Sequence, residues 1–261
     1  MLLQTHDLTR NFEAIVYYSR ATAYREDGKL DLALSDFDRA LELAPGLEAA
    51  YVNRGIVYRD RGMLQRAIAD YDQAIALKPD DPLAYSNRAT AEMDQMAYKA
   101  ALRDYGRSLA LAPKSARTHV NRAIALDRSG MTEKAIADYT AAVQLDPNNA
   151  DAFDGRCVSH IEEGRLGKAL YDCNVAVRLE PLSGSAWDSR GMAQLRLGDY
   201  QAAIRSYDKA RQLSPNLASS LYGRGLAKLK VGDPGGKADI RKAIQMDPAI
   251  SKTMASYGVG P

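Results

Sequence analysis

Apolar residues recur along the chain in pairs of runs whose spacing is typical of helices. Each run extends over about 13 residues, which is long enough for a helix, and its apolar positions follow the helical period. A glycine ends the first run of a pair, because it adopts the left-handed backbone angles of a helix C-cap at little cost. A proline closes the second run, since it cannot continue a helix interior. The pattern predicts tandem units of helix, turn, helix and loop.

The units repeat every 34 residues, and several residue types keep this step. Three series of small residues begin at Ala21, Ala33 and Ala40, and a series of large rings or their substitutes begins at Phe37. Small residues at fixed places let two helix backbones approach closely, and the ring fills the gap beside them. The closing prolines are Pro45, Pro79, Pro113, Pro147, Pro181 and Pro215, followed by Pro248 one residue early. The dividing glycines are Gly28, Gly62, Gly130, Gly164, Gly198 and Gly232, with Met96 in the third place.

The period and the order of small, aromatic, alanine and proline positions resemble the tetratricopeptide repeat. The resemblance implies an all-α fold, a right-handed superhelical solenoid of tandem helix-turn-helix repeats. It divides the chain into an N-terminal lead-in over residues 1–13, seven repeats, and a C-terminal capping helix and tail over residues 249–261. The seven repeats are Ala14–Leu47, Glu48–Asp81, Pro82–Ser115, Ala116–Asn149, Ala150–Ser183, Gly184–Leu217 and Ala218–Pro248.

The two ends of such an array need covering, because each repeat packs only on its neighbours. At the C-terminal end, Ile250, Met254 and Tyr257 share one face of the predicted capping helix. At the N-terminal end, the lead-in offers Leu8 and Phe12 but no full helix of the repeat type. We therefore expect an open first repeat, through missing upstream sequence or through self-association.

A charged series accompanies the repeats. Each arginine directly precedes the small residue where the two helices touch, and the guanidinium fork suits a carboxylate. We predict a ladder of ion pairs between the helices of each repeat, whereas a basic stripe for phosphate is the alternative. The arginines are Arg20, Arg54, Arg88, Arg122, Arg156, Arg190 and Arg224. The second helices supply Asp36, Asp70, Asp104, Asp138, Asp172 and Asp239, with Ser206 breaking the series.

Composition excludes several classes of protein. The net charge of +2, from 35 basic and 33 acidic side chains, is too small for an electrostatic footprint on nucleic acid. No stretch approaches the roughly 18 apolar residues that a membrane-spanning helix needs. The first residues lack the basic start and apolar core of a signal peptide. We expect a cytoplasmic protein without membrane insertion, and a periplasmic location stays open if a leader has been removed.

The sequence offers no constellation typical of an enzyme, so we expect neither catalysis nor a cofactor. No nucleophile is paired with a base, and the three histidines lie far apart without metal-ligand spacing. The segment GDPGGK over residues 232–237 lacks the glycine spacing and the Ser or Thr of a phosphate-binding loop. Cys157 and Cys173 replace the small residue and the ring of one repeat, and are either two buried thiols or a disulfide.

The resemblance places one face of the first helices in a concave groove, and three asparagines fall on that face. An asparagine amide donates and accepts hydrogen bonds, so it can pair with a peptide backbone. Further along, an apolar strip would suit apolar side chains of an extended or helical segment, unless its members seal one repeat against the next. The asparagines are Asn53, Asn87 and Asn121, and the apolar strip consists of Val158, Ile161, Met192, Leu195 and Tyr222.

These residues predict a non-catalytic protein-interaction scaffold or adaptor that binds a peptide segment of a partner protein in the groove. The alternative is a self-assembling structural scaffold in which the repeat arrays of different copies stack end to end. Neither function involves nucleic acid, a metal or a cofactor.

Overall fold

The computed structural model describes residues 2–260, with side chains from residue 9 onward. Over this range the secondary structure consists of 15 helices and no strand, which confirms the all-α class. The helices are α1 (Leu2–Glu26), α2 (Leu30–Leu43), α3 (Glu48–Asp60), α4 (Leu64–Leu77), α5 (Pro82–Asp94), α6 (Tyr98–Leu111), α7 (Ala116–Arg128), α8 (Thr132–Leu145), α9 (Ala150–Glu162), α10 (Leu166–Leu179), α11 (Gly184–Leu197), α12 (Tyr200–Leu213), α13 (Ala218–Lys230), α14 (Gly236–Met246) and α15 (Ile250–Ser256). None of these helices, within the residues described, is long and apolar enough to cross a membrane.

The helices form seven consecutive pairs followed by α15. From α3 onward, the first helix of each pair begins on the first residue of a repeat as the sequence divides them. The helix α1 differs from expectation, because it begins at Leu2 and its helical backbone runs through the segment expected to lack a full helix. The side chain of Leu8 lies outside the described residues, and that of Phe12 is exposed.

The turn inside each pair depends on one residue with a positive φ. In the second repeat Gly62 has φ +72°, and the amide of Met63 donates to the carbonyl of Tyr58 at 2.8 Å, as in a Schellman motif. Met96 takes the same role in the third repeat with φ +60°, so the substitution preserves the turn at the cost of backbone strain.

Contact between the two helices of a pair requires the predicted small residues. Tyr71 of α4 is fully buried against Gly55 of α3, where a Cβ atom would lie 2.7 Å from Cε1 of the ring. A Cβ at Gly191 of α11 would similarly lie 2.8 Å from Cδ1 of Tyr207 of α12. The helices pack into two compact units, an N-terminal unit up to Ala125 and a C-terminal unit from Leu126.

Five of the predicted ion pairs link the two helices of a repeat through two hydrogen bonds each. Arg54 donates from Nε and Nη2 to Asp70 at 2.8 and 2.6 Å, and its third nitrogen, Nη1, donates to Asp38 of the preceding repeat at 2.6 Å. This second carboxylate was not predicted from the sequence. Equivalent forks within a repeat join Arg20 to Asp36, Arg88 to Asp104, Arg156 to Asp172 and Arg224 to Asp239. Equivalent bonds to the preceding repeat join Arg88 to Asp72 and Arg224 to Asp208.

The cysteines of the fifth repeat form a disulfide that joins α9 to α10. The Cα atoms of Cys157 and Cys173 lie 5.5 Å apart, and both side chains are fully buried. They occupy the places where Gly55 and Tyr71 meet in the second repeat. A covalent bond therefore replaces the small-residue and ring contact between these two helices.

We expect Asp70→Ala to lower the free energy of unfolding by about 3 kcal/mol, because it leaves the guanidinium of Arg54 with only its exposed carboxylate partner. Asp38→Ala is the matched control and should cost about 1 kcal/mol or less, since its side chain is half exposed. The double variant Arg54→Met with Asp70→Leu should lose less than Asp70→Ala alone. Urea denaturation followed by circular dichroism measures all three. Equal losses for Asp38→Ala and Asp70→Ala would contradict the assigned importance of the buried fork.

Reduction of the disulfide should destabilise the C-terminal unit by about 3 kcal/mol, because the bond closes a loop of 16 residues in the unfolded chain. Denaturation with and without dithiothreitol measures the difference. The variant Cys157→Gly with Cys173→Tyr, which reproduces the contact of the second repeat, should be insensitive to the reductant. Two free thiols titrated in the unreduced, denatured protein would show that the bond does not form.

Candidate binding surfaces on the first helices

The first helices of the repeats lie side by side within each unit. In the N-terminal unit α3 contacts α1 and α5, and in the C-terminal unit α11 contacts α9 and α13. The predicted site residues divide between the units. The N-terminal unit carries the asparagine row, Asn53, Asn87 and Asn121, and the C-terminal unit carries the apolar strip, Val158, Ile161, Met192, Leu195 and Tyr222.

The side-chain amide of Asn53 makes its hydrogen bonds to other residues of the protein. Its Nδ2 donates to the carbonyl of Ala49 at 2.8 Å and to the hydroxyl of Tyr18 at 3.2 Å, and its Oδ1 accepts from the guanidinium of Arg25. Tyr18 and Arg25 belong to α1, so the amide links α1 to α3. The sequence pattern groups Asn53 with the other two asparagines. Its hydrogen bonds give it a structural role instead, because they join α1 to α3.

Asn87 and Asn121 differ from Asn53, because neither side chain hydrogen-bonds to another residue in the described part of the chain. Both amides are partly exposed to solvent. Leu83 lies one turn before Asn87, and Ile124 lies one turn after Asn121, so each pair shares a side of its helix. The side chains of Leu83 and Ile124 are 53% and 40% exposed. The surface therefore offers amide groups and apolar side chains together.

The apolar strip is largely closed, which corrects the expectation of an open groove in the C-terminal unit. Only Val158 stays partly exposed, while Ile161, Met192, Leu195 and Tyr222 are all buried in the largest apolar core of this unit. The same core contains Ile250, Met254 and Val259 of the C-terminal segment, and Tyr257 packs against it. The residues on the face predicted for the capping helix therefore pack in the same core as the strip.

The last residues turn back from α15 onto α11. Gly258 has φ +68°, and the amide of Val259 donates to the carbonyl of Met254 at 2.9 Å, which ends the helix. The guanidinium of Arg196 donates to the carbonyl of Tyr257 and, at 3.3 Å, to that of Ile161. A backbone carbonyl of the segment is therefore held by a side chain of the first helices, as a bound peptide would be.

Partly buried carboxylates also join the first helices of the C-terminal unit. Asp188 of α11 accepts from the hydroxyls of Ser219 and Ser220 of α13 at 2.7 and 2.6 Å, and burial raises its pKa. Asp127 of α7 accepts from the hydroxyl of Ser159 of α9 at 3.0 Å, and burial raises its pKa to about 6. These links were not predicted. They hold neighbouring first helices together, beneath the surface that a ligand would touch.

Comparisons with known proteins agree with this description. The family model of the tetratricopeptide repeat matches residues 14–47 and 116–149, and a second model described as TPR repeat matches residues 57–95 and 191–232. No curated protein is significantly similar to the chain in sequence.

Solved structures share the fold. A tetratricopeptide repeat protein from Parabacteroides merdae superposes with a TM-score of 0.72 and 18% identity, over 94% of this chain and 99% of that chain. Pseudomonas aeruginosa PilF gives 0.69 and 20%, over 80% and 96%. YrrB, described as a TPR protein with an unusual peptide-binding site, gives 0.60 and 21%, over 72% and 97%. At these identities the likeness is one of fold alone.

Proposed function

We propose that this chain, which belongs to the tetratricopeptide repeat family, binds an extended peptide segment of a partner protein along the first helices of its N-terminal unit. The repeats make it a protein–protein interaction scaffold, and the family is generally a non-catalytic interaction module. The observation that carries the finer proposal is the pair of partly exposed amides, Asn87 and Asn121, without hydrogen-bond partners among the described residues.

The spacing of the amides suits an extended chain. Ala89 of α5 and Ala125 of α7 belong to one buried cluster, so the two first helices are neighbours in the packing. Packed helix axes lie about 10 Å apart, and an extended chain advances about 3.3 Å per residue. One asparagine amide therefore meets about every third residue of the ligand. The exposed side chains of Leu83 and Ile124 lie where they would contact its apolar side chains.

The apolar strip is not the peptide-binding surface in this proposal. The C-terminal segment covers it, so a partner segment would first have to displace Ile250, Met254 and Val259 from a buried core. The open surface of the N-terminal unit needs no such displacement. The described peptide-binding site of YrrB, a protein of the same fold, is consistent with peptide recognition by such a scaffold.

We expect the double variant Asn87→Ala with Asn121→Ala to bind the partner about tenfold more weakly, because it removes several neutral hydrogen bonds of about 1 kcal/mol each. The partner is identified by affinity capture from the source organism and mass spectrometry, and its segment is then titrated by calorimetry. Thermal unfolding of the variant should match that of the wild type.

Asn53→Ala is the matched control. It should lower the melting temperature, since it breaks the link between α1 and α3, but leave the affinity for the peptide unchanged. Unchanged affinity in the double variant, or an equal loss in the control, would refute the role of the two amides.

A second candidate function is self-association through the first repeat. Phe12, Ile15 and Val16 of α1 are 68%, 54% and 49% exposed. A depression of about 450 Å³ lies beside Ile15 and is also lined by Leu43 and Leu47. The last repeat offers no equivalent surface, because α15 packs on α13 and α14. The form of assembly that this supports is a dimer that joins two first repeats, rather than an end-to-end stack.

We expect the wild type to dimerise with rising concentration and Ile15→Glu to remain monomeric, because a charge on the exposed apolar face opposes its burial. Light scattering across a dilution series measures the mass. Leu182→Glu is the control, since Leu182 is an exposed apolar residue in a loop of the other unit. A wild type that is monomeric at every concentration would eliminate this function.

The disulfide bears on the compartment in which the protein works. Disulfides persist in oxidising compartments and are rare where glutathione and thioredoxin keep thiols reduced. The Cys157–Cys173 bond therefore favours a periplasmic location over the cytoplasmic one expected from the sequence. Titration of thiols in protein isolated from its source cells under acid quench tests this proposal.

A further inference from the structure

A depression of about 440 Å³ lies on the C-terminal unit, apart from both surfaces described above. The helices α8, α9 and α10 surround it. Gly167 has no side chain to fill the space, and nothing lies within 4 Å of the position that its Cβ would take. The lining residues are Ile136, Thr140, Arg156, His160, Arg165, Gly167, Lys168, Tyr171 and Asp172.

The arginine of this depression lacks a carboxylate that its counterparts in three other repeats possess. In the second, third and seventh repeats, the Nη1 atom of the arginine donates to an aspartate of the preceding repeat at 2.5–2.6 Å. In the fifth repeat, Arg156 keeps both bonds to Asp172 at 2.8 Å, but Thr140 occupies the other aspartate's place. The Nη1 atom of Arg156 instead donates to the neutral hydroxyl of Thr140 at 3.2 Å. The guanidinium edge therefore faces the depression without a second anion.

His160 is also incompletely satisfied. Its side chain lines the depression and the residue is only 5% exposed, yet Nδ1 has no hydrogen-bond partner among the described residues. Its Nε2 lies 3.9 Å from Asp172 Oδ2. Buried polar atoms are rarely left unpaired, so such an atom beside an open space points to a group that the space receives.

The charges around the space are mainly positive. Lys168 is exposed and makes no ion pair with any residue in the described range, while Arg165 is bound to Glu133. Burial lowers the pKa of His160, Asp172 opposes that shift, and the cations Arg156, Arg165 and Lys168 add to it. One acidic side chain, Asp172, lines the depression, and Arg156 already holds it with two hydrogen bonds.

We propose that this depression binds a carboxylate, which takes the place that Asp38, Asp72 and Asp208 hold beside the arginines of other repeats. Arg156 Nη1 and Lys168 Nζ donate to its oxygens, and the imidazole of His160 donates from Nδ1. The exposed ring of Tyr171 flanks the rest of the ligand. The carboxylate comes either from a small free acid or from a glutamate or aspartate side chain of a partner. This site is independent of peptide binding by the asparagine row.

The test follows the imidazole signals of the full chain by NMR. The protein has three histidines, so His160→Gln assigns the signals of His160. The probes are succinate, the peptide acetyl-Gly-Glu-Gly-amide, its neutral counterpart acetyl-Gly-Gln-Gly-amide, and inorganic phosphate. We expect a saturable shift of the His160 signals with a carboxylate probe, a rise in the pKa of His160 at saturation, and no response to the glutamine peptide. Tighter binding of succinate identifies a free acid, and tighter binding of the glutamate peptide identifies a side chain.

Two substitutions of Thr140 decide whether the missing carboxylate explains the site. Thr140→Asp supplies it internally and should weaken probe binding by about tenfold or more. Thr140→Val keeps the shape without a charge and should bind as the wild type does. Lys168→Ala, an exposed change that leaves packing intact, should weaken binding severalfold. The proposal is overturned if no carboxylate probe saturates, if Thr140→Asp binds like Thr140→Val, or if phosphate binds more tightly than both carboxylates.

Discussion

The fork between an arginine and an aspartate is the interaction on which this array depends. Because the residue after each arginine is small, the two helices of a repeat approach closely and much of the guanidinium leaves the solvent. A desolvated guanidinium must have its nitrogens satisfied, and Arg54 meets this with Asp70 in its own repeat and Asp38 in the previous one. The second bond turns an intra-repeat contact into a link between repeats, and so fixes how successive pairs of helices align.

Departures from this arrangement are met in different ways. In the sixth repeat Ser206 replaces the aspartate, and Arg190 donates to its hydroxyl at 3.1 Å while its guanidinium lies 4.0 Å from the centre of the Trp187 ring. In the fifth repeat the inner aspartate is kept and Thr140 replaces the outer one, beside an open space. The first departure is compensated by an aromatic face, whereas the second leaves a place for a ligand. Interactions specific to this chain thus arise where the sequence of one repeat differs from that of the other repeats.

The sequence predicted those features whose causes lie within one repeat. The helix pairs, the turn at Gly62 and the fork between Arg54 and Asp70 all depend on residues less than 34 positions apart, and repetition made each visible several times. The aspartates that bind the arginine of the following repeat, Asp38, Asp72 and Asp208, recur less regularly along the chain. The sequence pattern therefore did not reveal them. The exposure of the apolar strip was predicted wrongly, because its cover comes from Val259 and its neighbours, far along the chain. Asn53 was grouped with Asn87 for a similar reason, since only packing against α1 reveals its partners.

The surface of the first helices is covered in the C-terminal unit and open in the N-terminal unit. The cause lies in the side chains that these helices carry. The first helices of the C-terminal unit carry apolar side chains that would be costly to expose, and the segment after α14 is apolar enough to cover them. The first helices of the N-terminal unit carry Asn87 and Asn121, whose partly exposed amides can be hydrated when no ligand is present, so this surface needs no cover. A polar surface can stay open while the protein remains folded, and can exchange water for a peptide backbone at little net cost. Openness to a partner therefore depends on the side chains that the first helices carry, rather than on the repeat fold that both units share.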